Sequence, residues 1–288
     1  MYNCLMIIWI ASYPKSGNTW VRSFLTTLLY SKSGENDFST LKQITQFPKR
    51  PQFDSLIKDF NDINELARNW IRAQEIINLD GKIKFFKTHH MNCTINNCNF
   101  TDHKNSLGVI HVVRDPRNVI TSIKNHYSFS DISGAKKYIF NNDTWLDLTK
   151  QNDKSGGQVP TPLSSWKNHY NSWKNKTNNY LLIKYEDLIE NPNEKFNEIA
   201  NYVSKLTGLK FDIQKIKNSI YSNSFESLQK LEEKGKFSES VDDKSENKKR
   251  KFFSLGPKNK WQNILDQSTI KEIEDNFSNE MRELNYIS

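Results

Sequence analysis

Residues 12 to 20, SYPKSGNTW, follow directly on the apolar run CLMIIWIA at positions 4 to 11. The run reads as a buried strand and a helix pattern begins near Asn18, so the residues between them form a strand-to-helix loop. Such a loop aims the backbone N–H groups of Ser16, Gly17, Asn18 and Thr19 at one anion, assisted by the helix dipole. Gly17 leaves room for close backbone approach. A Walker A loop requires G-x-x-x-x-G-K-[ST], whereas here Lys15 precedes the glycine, which disfavours an ordinary ATPase or kinase. Taken alone, the pattern also fits a turn carrying a solvated lysine.

The neighbouring sequence repeats the strand-then-helix alternation. LMIIWIAS, KIKFFKTH, GVIHVVR and YLLIKY are strand patterns, and residues 18–31, 61–79, 116–127 and 192–206 are helical. This order predicts an α/β fold with a central parallel sheet flanked by helices on both faces. No repeat or linker divides the chain, so residues 1–288 are read as one domain. Two polar stretches, 128–162 and 234–251, bury little apolar surface and are expected to be mobile loops. With 288 residues the chain can bury a substantial core, and its net charge of +8 favours an anionic partner. The N-terminal apolar run is too short to span a membrane and no small-residue cleavage site follows it, so a soluble, cytoplasmic protein is expected. Cys4, Cys93 and Cys98 form no disulfide framework and fit a reducing compartment.

The segment Y-P-K-S-G-x-T-W resembles the 5′-phosphosulfate loop of sulfotransferases that use 3′-phosphoadenosine-5′-phosphosulfate. The resemblance is to the soluble, cytosolic-type members, whose fold is P-loop-like, and further segments agree in order over most of the chain. FFKTHH resembles the strand bearing the catalytic histidine, and VVRDPRNVITSIKNHY the 3′-phosphate strand and helix. SSWKNHYNSW resembles the helix before the next strand. KYEDLIENP and SNSFESLQKLE resemble the adenine-side elements, and FFSLGPKNKW the C-terminal phosphate loop. The implied activity is direct in-line transfer of a sulfuryl group to an acceptor hydroxyl or amine, leaving adenosine 3′,5′-bisphosphate, without metal.

That chemistry needs cations at the leaving oxygen and a base at the acceptor. The resemblance implies that Lys15 stabilises the bridging oxygen. In FFKTHH, side chains alternate, so Lys87 and His89 share one face while Thr88 and His90 share the other. This selects His89 as base and Lys87 as a second sulfonate contact. The small residue and proline usual after this histidine are absent, which leaves the shape of the next loop open. Arg114 ends a strand, Asp115 can cap the following helix, Pro116 suits its first position, and Ser122 lies about two turns in. Arg114 and Ser122 have the spacing the family uses for the 3′-phosphate, and the resemblance implies a contact of Ser122 with Lys15. For Arg114 alone, an ion pair with Asp115 or Asp187 is the competing reading. Trp20 and Phe225 correspond to the adenine-stacking pair and Tyr185 to its hydrogen-bonding position. Asn223 stands where threonine is usual in the animal enzymes.

The family's Arg-Lys-Gly triplet is replaced by Ser254, Leu255 and Gly256, with Trp261 at the expected distance. Arg250 or Lys251, from the run KKRK, or else Lys258, is expected to supply the missing charge for the 3′-phosphate. His89, His90, Cys93, Cys98 and His103 also suit zinc by residue type, but the C-x4-C-x4-H spacing lies at the edge of the common finger patterns. A nucleic-acid binder is disfavoured because no aromatic residues interleave with the basic cluster. A non-catalytic nucleotide-binding protein that retains the fold is the remaining alternative. The acceptor, whether small molecule, lipid or carbohydrate, is expected to lie among loops 37–60, 91–106 and 128–162, none of which carries a transferable motif.

Overall fold

The first strand, β1 (Ile7–Ser12), is buried along its whole length, and its alternate side chains enter different cores. Ile8 and Ile10 join a cluster with Phe24, Leu28, Ile110 and Phe196, while Ile7, Trp9 and Ala11 face Phe47, Trp70, Phe100 and Trp173. A strand covered on both faces needs an unbroken apolar run, and this is why the N-terminal pattern lacks polar alternation. Each fully buried large side chain contributes about 1.5–3 kcal/mol. The computed structural model describes residues 6–147, 157–174, 179–237, 239, 241–243 and 248–288, without the side chains of 241–243 and 248–250.

In chain order, β1 passes through the loop into α1 (Asn18–Tyr30), and α2 (Ile63–Asn78) precedes β2 (Lys84–Thr88). A small hairpin of β3 (Thr94–Ile95) and β4 (Cys98–Asn99) leads to β5 (Ser106–Val113), then α3 (Pro116–Tyr127) and α4 (Ile132–Phe140). The short strands β6 (Trp145–Leu146) and β7 (Thr161–Pro162) pair before α5 (Trp166–Trp173) and β8 (Tyr180–Lys184). Four helices follow, α6 (Tyr185–Glu190), α7 (Pro192–Thr207), α8 (Ile213–Ser222) and α9 (Phe225–Glu233). An antiparallel ribbon of β9 (Val241–Asp243) and β10 (Lys248–Arg250) then precedes α10 (Gln267–Asn276) and α11 (Ser278–Glu283).

The four long strands form a parallel sheet in the order β2-β1-β5-β8. Its register pairs Ala11 with Thr88 and Ser12 with Val112, so the loops after β1, β2 and β5 emerge side by side at one edge. Ligands in open α/β sheets bind at this carboxyl edge. As the sequence predicts, the side chain of Asp115 caps α3 by accepting from the N–H of Arg117, with Pro116 in the first turn.

Two expectations change. The stretch 128–162 is not a loop throughout, because α4 runs through it. Asp131 caps that helix, and Ile132, Ala135 and Ile139, spaced three and four apart, join a core with Val119 and Ile123 of α3. Likewise 234–251 carries the ribbon β9–β10, in which Arg250 pairs with Val241. Backbone pairing supplies order there that composition does not reveal. Residues 148–156 of the first stretch, and 238, 240 and 244–247 of the second, lie outside the described residues. No helix among the described residues is long and apolar enough to cross a membrane.

Candidate functional site

The loop after β1 is held from both sides. Asn18 donates through Nδ2 to the carbonyl of Ile10 at 2.8 Å and to Ser12 Oγ at 3.1 Å, tying the start of α1 to the strand. Tyr13 donates to the carbonyl of Tyr138 at 2.6 Å, fastening the loop to α4. Two loop residues take the left-handed conformation, Gly17 at φ 100° and Lys15 at φ 67°. Left-handed geometry in a residue with a side chain costs about 1–3 kcal/mol and persists where the surroundings impose it. A Cβ on Gly17 would lie 2.6 Å from the Tyr185 ring, so this position requires glycine for space as well as for φ. Gly17→Ala is expected to lower stability by about 1–3 kcal/mol, read as a fall in the urea midpoint.

Beside the loop lies a cavity of about 530 Å³, within the range of ligand sites. Lys15, Gly17, Asn18, Thr19, Trp20, Lys87, His89, Arg114, Ser122, Tyr185, Phe225, Lys251 and Gly256 all line it. The fold thus gathers residues from positions 15 to 256 around one space. Three residues named from the sequence stand elsewhere or differently. Ser16 is fully buried, lines a separate small space with Tyr13, His111 and His169, and turns its N–H to the carbonyl of Tyr13. Asn223 is fully buried and spends its side chain on Thr27, Ser219 and Asn36, while its carbonyl accepts from the Trp20 indole at 2.6 Å. Arg250 contributes its backbone to β10, and its side chain is outside the description.

His89 is fixed through one ring nitrogen. Its Nδ1 lies 2.8 Å from the carbonyl of Ser12, and because a carbonyl only accepts, Nδ1 carries the proton. Nε2 is therefore the nitrogen left with a lone pair. The carbonyl of His89 itself accepts from His169 Nε2 at 3.2 Å. Burial, followed by the charge of Lys87, holds the His89 imidazole well below its ordinary 6.5, which keeps it neutral. His90, one residue on, is fully buried, stacked on Phe100 at 3.8 Å and set edge-on to Trp70. The alternation of faces separates the two histidines as the sequence reading requires. Among the described residues no group of three or more His, Cys, Asp and Glu is placed to hold a metal.

The cations are close enough to depress one another. Burial, then Arg114 and Lys87, lowers Lys15 to about 8, with Glu232 opposing. Burial, then Arg22, lowers Lys87 to about 8, with Glu239 opposing. The amino group of Lys15 lies 3.4 Å from Nδ1 of His126 and 4.5 Å from the centre of the Phe252 ring. His126, one helical turn beyond Ser122, thus makes the contact expected of that serine. Arg114 donates to the carbonyl of Lys15 at 3.0 Å and lies 4.1 Å over the Tyr185 ring, while its Nε is buried with no hydrogen-bond partner among the described residues. The competing ion pairs do not form, since Asp115 bonds Arg117 and Asp187 bonds Lys184.

At the C-terminal loop, a Cβ on Gly256 would fall 2.1 Å from the Phe225 ring, so glycine there admits that aromatic to the cavity wall. Lys251 also lines the cavity, but its amino group is exposed and 2.9 Å from Glu233. Several further lining residues were not singled out from the sequence, among them Arg22, Gln46, Lys49, Asn125, His126, Gln158, Glu239 and Asn259. Asn125 and His126 share helix α3 with Ser122, Asn259 lies in the segment FFSLGPKNKW, and Gln46, Lys49 and Gln158 lie in the loops expected around the acceptor. Arg22 and Glu239, by contrast, reach the cavity through their mutual contact.

The family model described as the sulfotransferase domain matches residues 7–285. Sulfotransferase 1 family member D1 of Mus musculus is 23% identical over 279 residues, covering 96% of this chain and 83% of the relative. Flavonol 3-sulfotransferase of Flaveria bidentis is 22% identical over 271 residues, covering 93% and 79%. Among solved structures, mouse sulfotransferase SULT7A1 complexed with PAP superposes with a TM-score of 0.58 at 15% identity, covering 98% of this chain and 86% of that one. Retinol dehydratase in complex with androsterone and inactive cofactor PAP gives 0.55 at 15%, covering 97% and 82%. These likenesses agree on the fold.

Proposed function

The chain belongs to the sulfotransferase domain family, and on that premise we propose that it transfers a sulfuryl group from 3′-phosphoadenosine-5′-phosphosulfate to an acceptor hydroxyl or amine, with His89 as base. The observation that carries this reading is the convergence of Lys15, Lys87 and His89 on one cavity, with Nδ1 of His89 committed to Ser12. Nε2 then accepts the acceptor proton as the acceptor oxygen or nitrogen bonds to sulfur. The bond from sulfur to the bridging oxygen breaks, and Lys15 neutralises the charge that collects on that oxygen. Lys87 offsets the charge of the transferred group.

The residues present suit a nucleotide with two phosphate positions. The N–H groups of Gly17, the N-cap of α1, and of Asn18 and Thr19 in its first turn have no backbone partner among the described residues, which fits the 5′ side. Buried and unpartnered, Arg114 Nε fits the 3′-phosphate, with Ser122 on the same wall and Lys251 at the rim. Trp20, Tyr185 and Phe225 provide aromatic surface for the base. The test is turnover of the labelled co-substrate, together with calorimetric titration of adenosine 3′,5′-bisphosphate and of adenosine 5′-monophosphate. Loss of one charge-assisted contact corresponds to about 1.5–3 kcal/mol, so the bisphosphate should bind roughly tenfold or more tightly. Equal affinity for the two would remove the 3′-phosphate site.

The lysines give a signed expectation. At pH 8 an amino group with a pKa of about 8 is half deprotonated, and a bound phosphate raises that pKa. Bisphosphate binding at pH 8 should therefore take up protons, measured from the heat in buffers of different ionisation enthalpy. Proton release would contradict the placement of Lys15. Because burial and Lys87 hold the free His89 imidazole well below its ordinary 6.5, kcat/KM should show no imidazole limb as pH falls from 8 to 6.5.

A further inference from the structure

The cavity has two ends set by the strand order. Arg114 and Ser122 follow β5, and Tyr185 follows β8, placing the nucleotide-type groups on that side of the central strand. On the other side stands β2 with Lys87, and His89 just beyond it. Next to Lys87 the chain runs alongside β2, since the N–H of Lys87 donates to the carbonyl of Thr45 and that of Phe47 to the carbonyl of Lys87, both at 2.9 Å. Gln46 is bridged in parallel register to Lys87, so the two side chains share one face.

This end carries hydrogen-bonding groups of both polarities, with Leu146 beside Asp147 among the cavity-lining residues. Gln46 donates to Gln158 Oε1 at 3.3 Å. Arg22 is almost wholly buried and meets Glu239 at 2.5 Å, while its Nε has no hydrogen-bond partner among the described residues. Lys49 and Asp147 line the same end, and both act electrostatically on Lys87. A flat apolar acceptor seated here would strip water from these groups and return no hydrogen bond. A molecule bearing several hydroxyls returns both donors and acceptors.

Building on the sulfuryl-transfer reading, we infer that the β2 end of the cavity is a subsite for a hydroxyl-rich, sugar-type acceptor held by Gln46, Gln158, Lys49, Asp147 and the Arg22–Glu239 pair. One acceptor hydroxyl gives its proton to His89 Nε2 and its oxygen bonds to sulfur, while the electron pair of the broken sulfur–oxygen bond stays on the bridging oxygen. The others fix the orientation of the ring, so specificity resides in hydrogen bonds and not in apolar shape.

The experiment uses the full chain and begins with adenosine 3′,5′-bisphosphate titration, then compares methyl β-D-glucopyranoside, N-acetyl-D-glucosamine and myo-inositol with 2-naphthol and a 3-hydroxysteroid as acceptors of labelled sulfuryl. At least one polyol should exceed both apolar acceptors in kcat/KM by roughly tenfold, the discrimination expected from unmade polar contacts. The double change Gln46→Leu and Gln158→Leu should lower the polyol kcat/KM by about tenfold without shifting bisphosphate affinity. Preference for naphthol or steroid, no polyol turnover by protein that binds the bisphosphate, or indifference to the double change overturns the inference. Protein that fails to bind the bisphosphate overturns the sulfuryl-transfer reading, and this inference with it.

Discussion

Replacement of His89 by alanine is expected to lower sulfuryl transfer by about 10²–10⁴-fold, the usual contribution of a positioned general base. Affinity for adenosine 3′,5′-bisphosphate should stay as it is, because His89 stands at the β2 side of the cavity and its fixed nitrogen contacts Ser12. His89→Asn sharpens the test. An asparagine side chain supplies an N–H near the position of Nδ1 and so can still donate to the Ser12 carbonyl, but it has no nitrogen lone pair where Nε2 stood. Asparagine should therefore restore the stability lost in the alanine variant and none of the activity. Single-turnover transfer and urea unfolding, measured on both variants, decide this. Wild-type transfer in His89→Asn would assign His89 to holding the loop, and the base would have to be sought elsewhere.

Lys15→Ala should lower kcat by about 10²–10³-fold, the magnitude seen when one donor at a developing oxyanion is removed. It should also weaken bisphosphate binding, since the same amino group serves the 5′ side. The two variants are thereby distinguishable, one losing rate alone and the other rate and nucleotide affinity. Proton uptake on bisphosphate binding at pH 8 should shrink in Lys15→Ala, because a group lowered to about 8 has been taken away. Lys15→Arg keeps the charge but brings a planar, extended head into a site where the amine already sits between His126 and Phe252. It should recover binding more than rate. A change confined to the acceptor KM would place Lys15 at the wrong end of the cavity.

The strand-to-helix loop, the parallel sheet and its helices, and the shared face of Lys87 and His89 were legible in the sequence because each rests on a local relation, whereas the roles expected of Lys15 and Arg114 came from the family resemblance. Unbroken apolar runs mark strands buried on both faces, Asp115-Pro116 marks a helix start, and alternation along FFKTHH separates His89 from His90. Helix α4 escaped because its apolar residues lie within a mostly polar stretch. The ribbon β9–β10 escaped because backbone pairing has no compositional signature. Asn223 was misplaced for a related reason. A family position states which residue is near the nucleotide, but here Thr27 and Ser219 satisfy the amide inside the protein.

Only the tertiary structure could decide the rest of the site. His126 meets Lys15 across 111 positions, Gln46 meets Gln158 across 112, and Arg22 meets Glu239 across 217. Side chains brought together over such separations leave no periodicity to read, since they are chosen by the space between packed elements. The sequence determined that a glycine-containing loop would lead from the first strand into α1 and that a lysine and an imidazole would stand beside it. Packing decided which imidazole nitrogen keeps its lone pair and that Gln46 meets Gln158 and Arg22 meets Glu239 on the cavity wall, because hydrogen-bond partners are allotted only when the elements are in place.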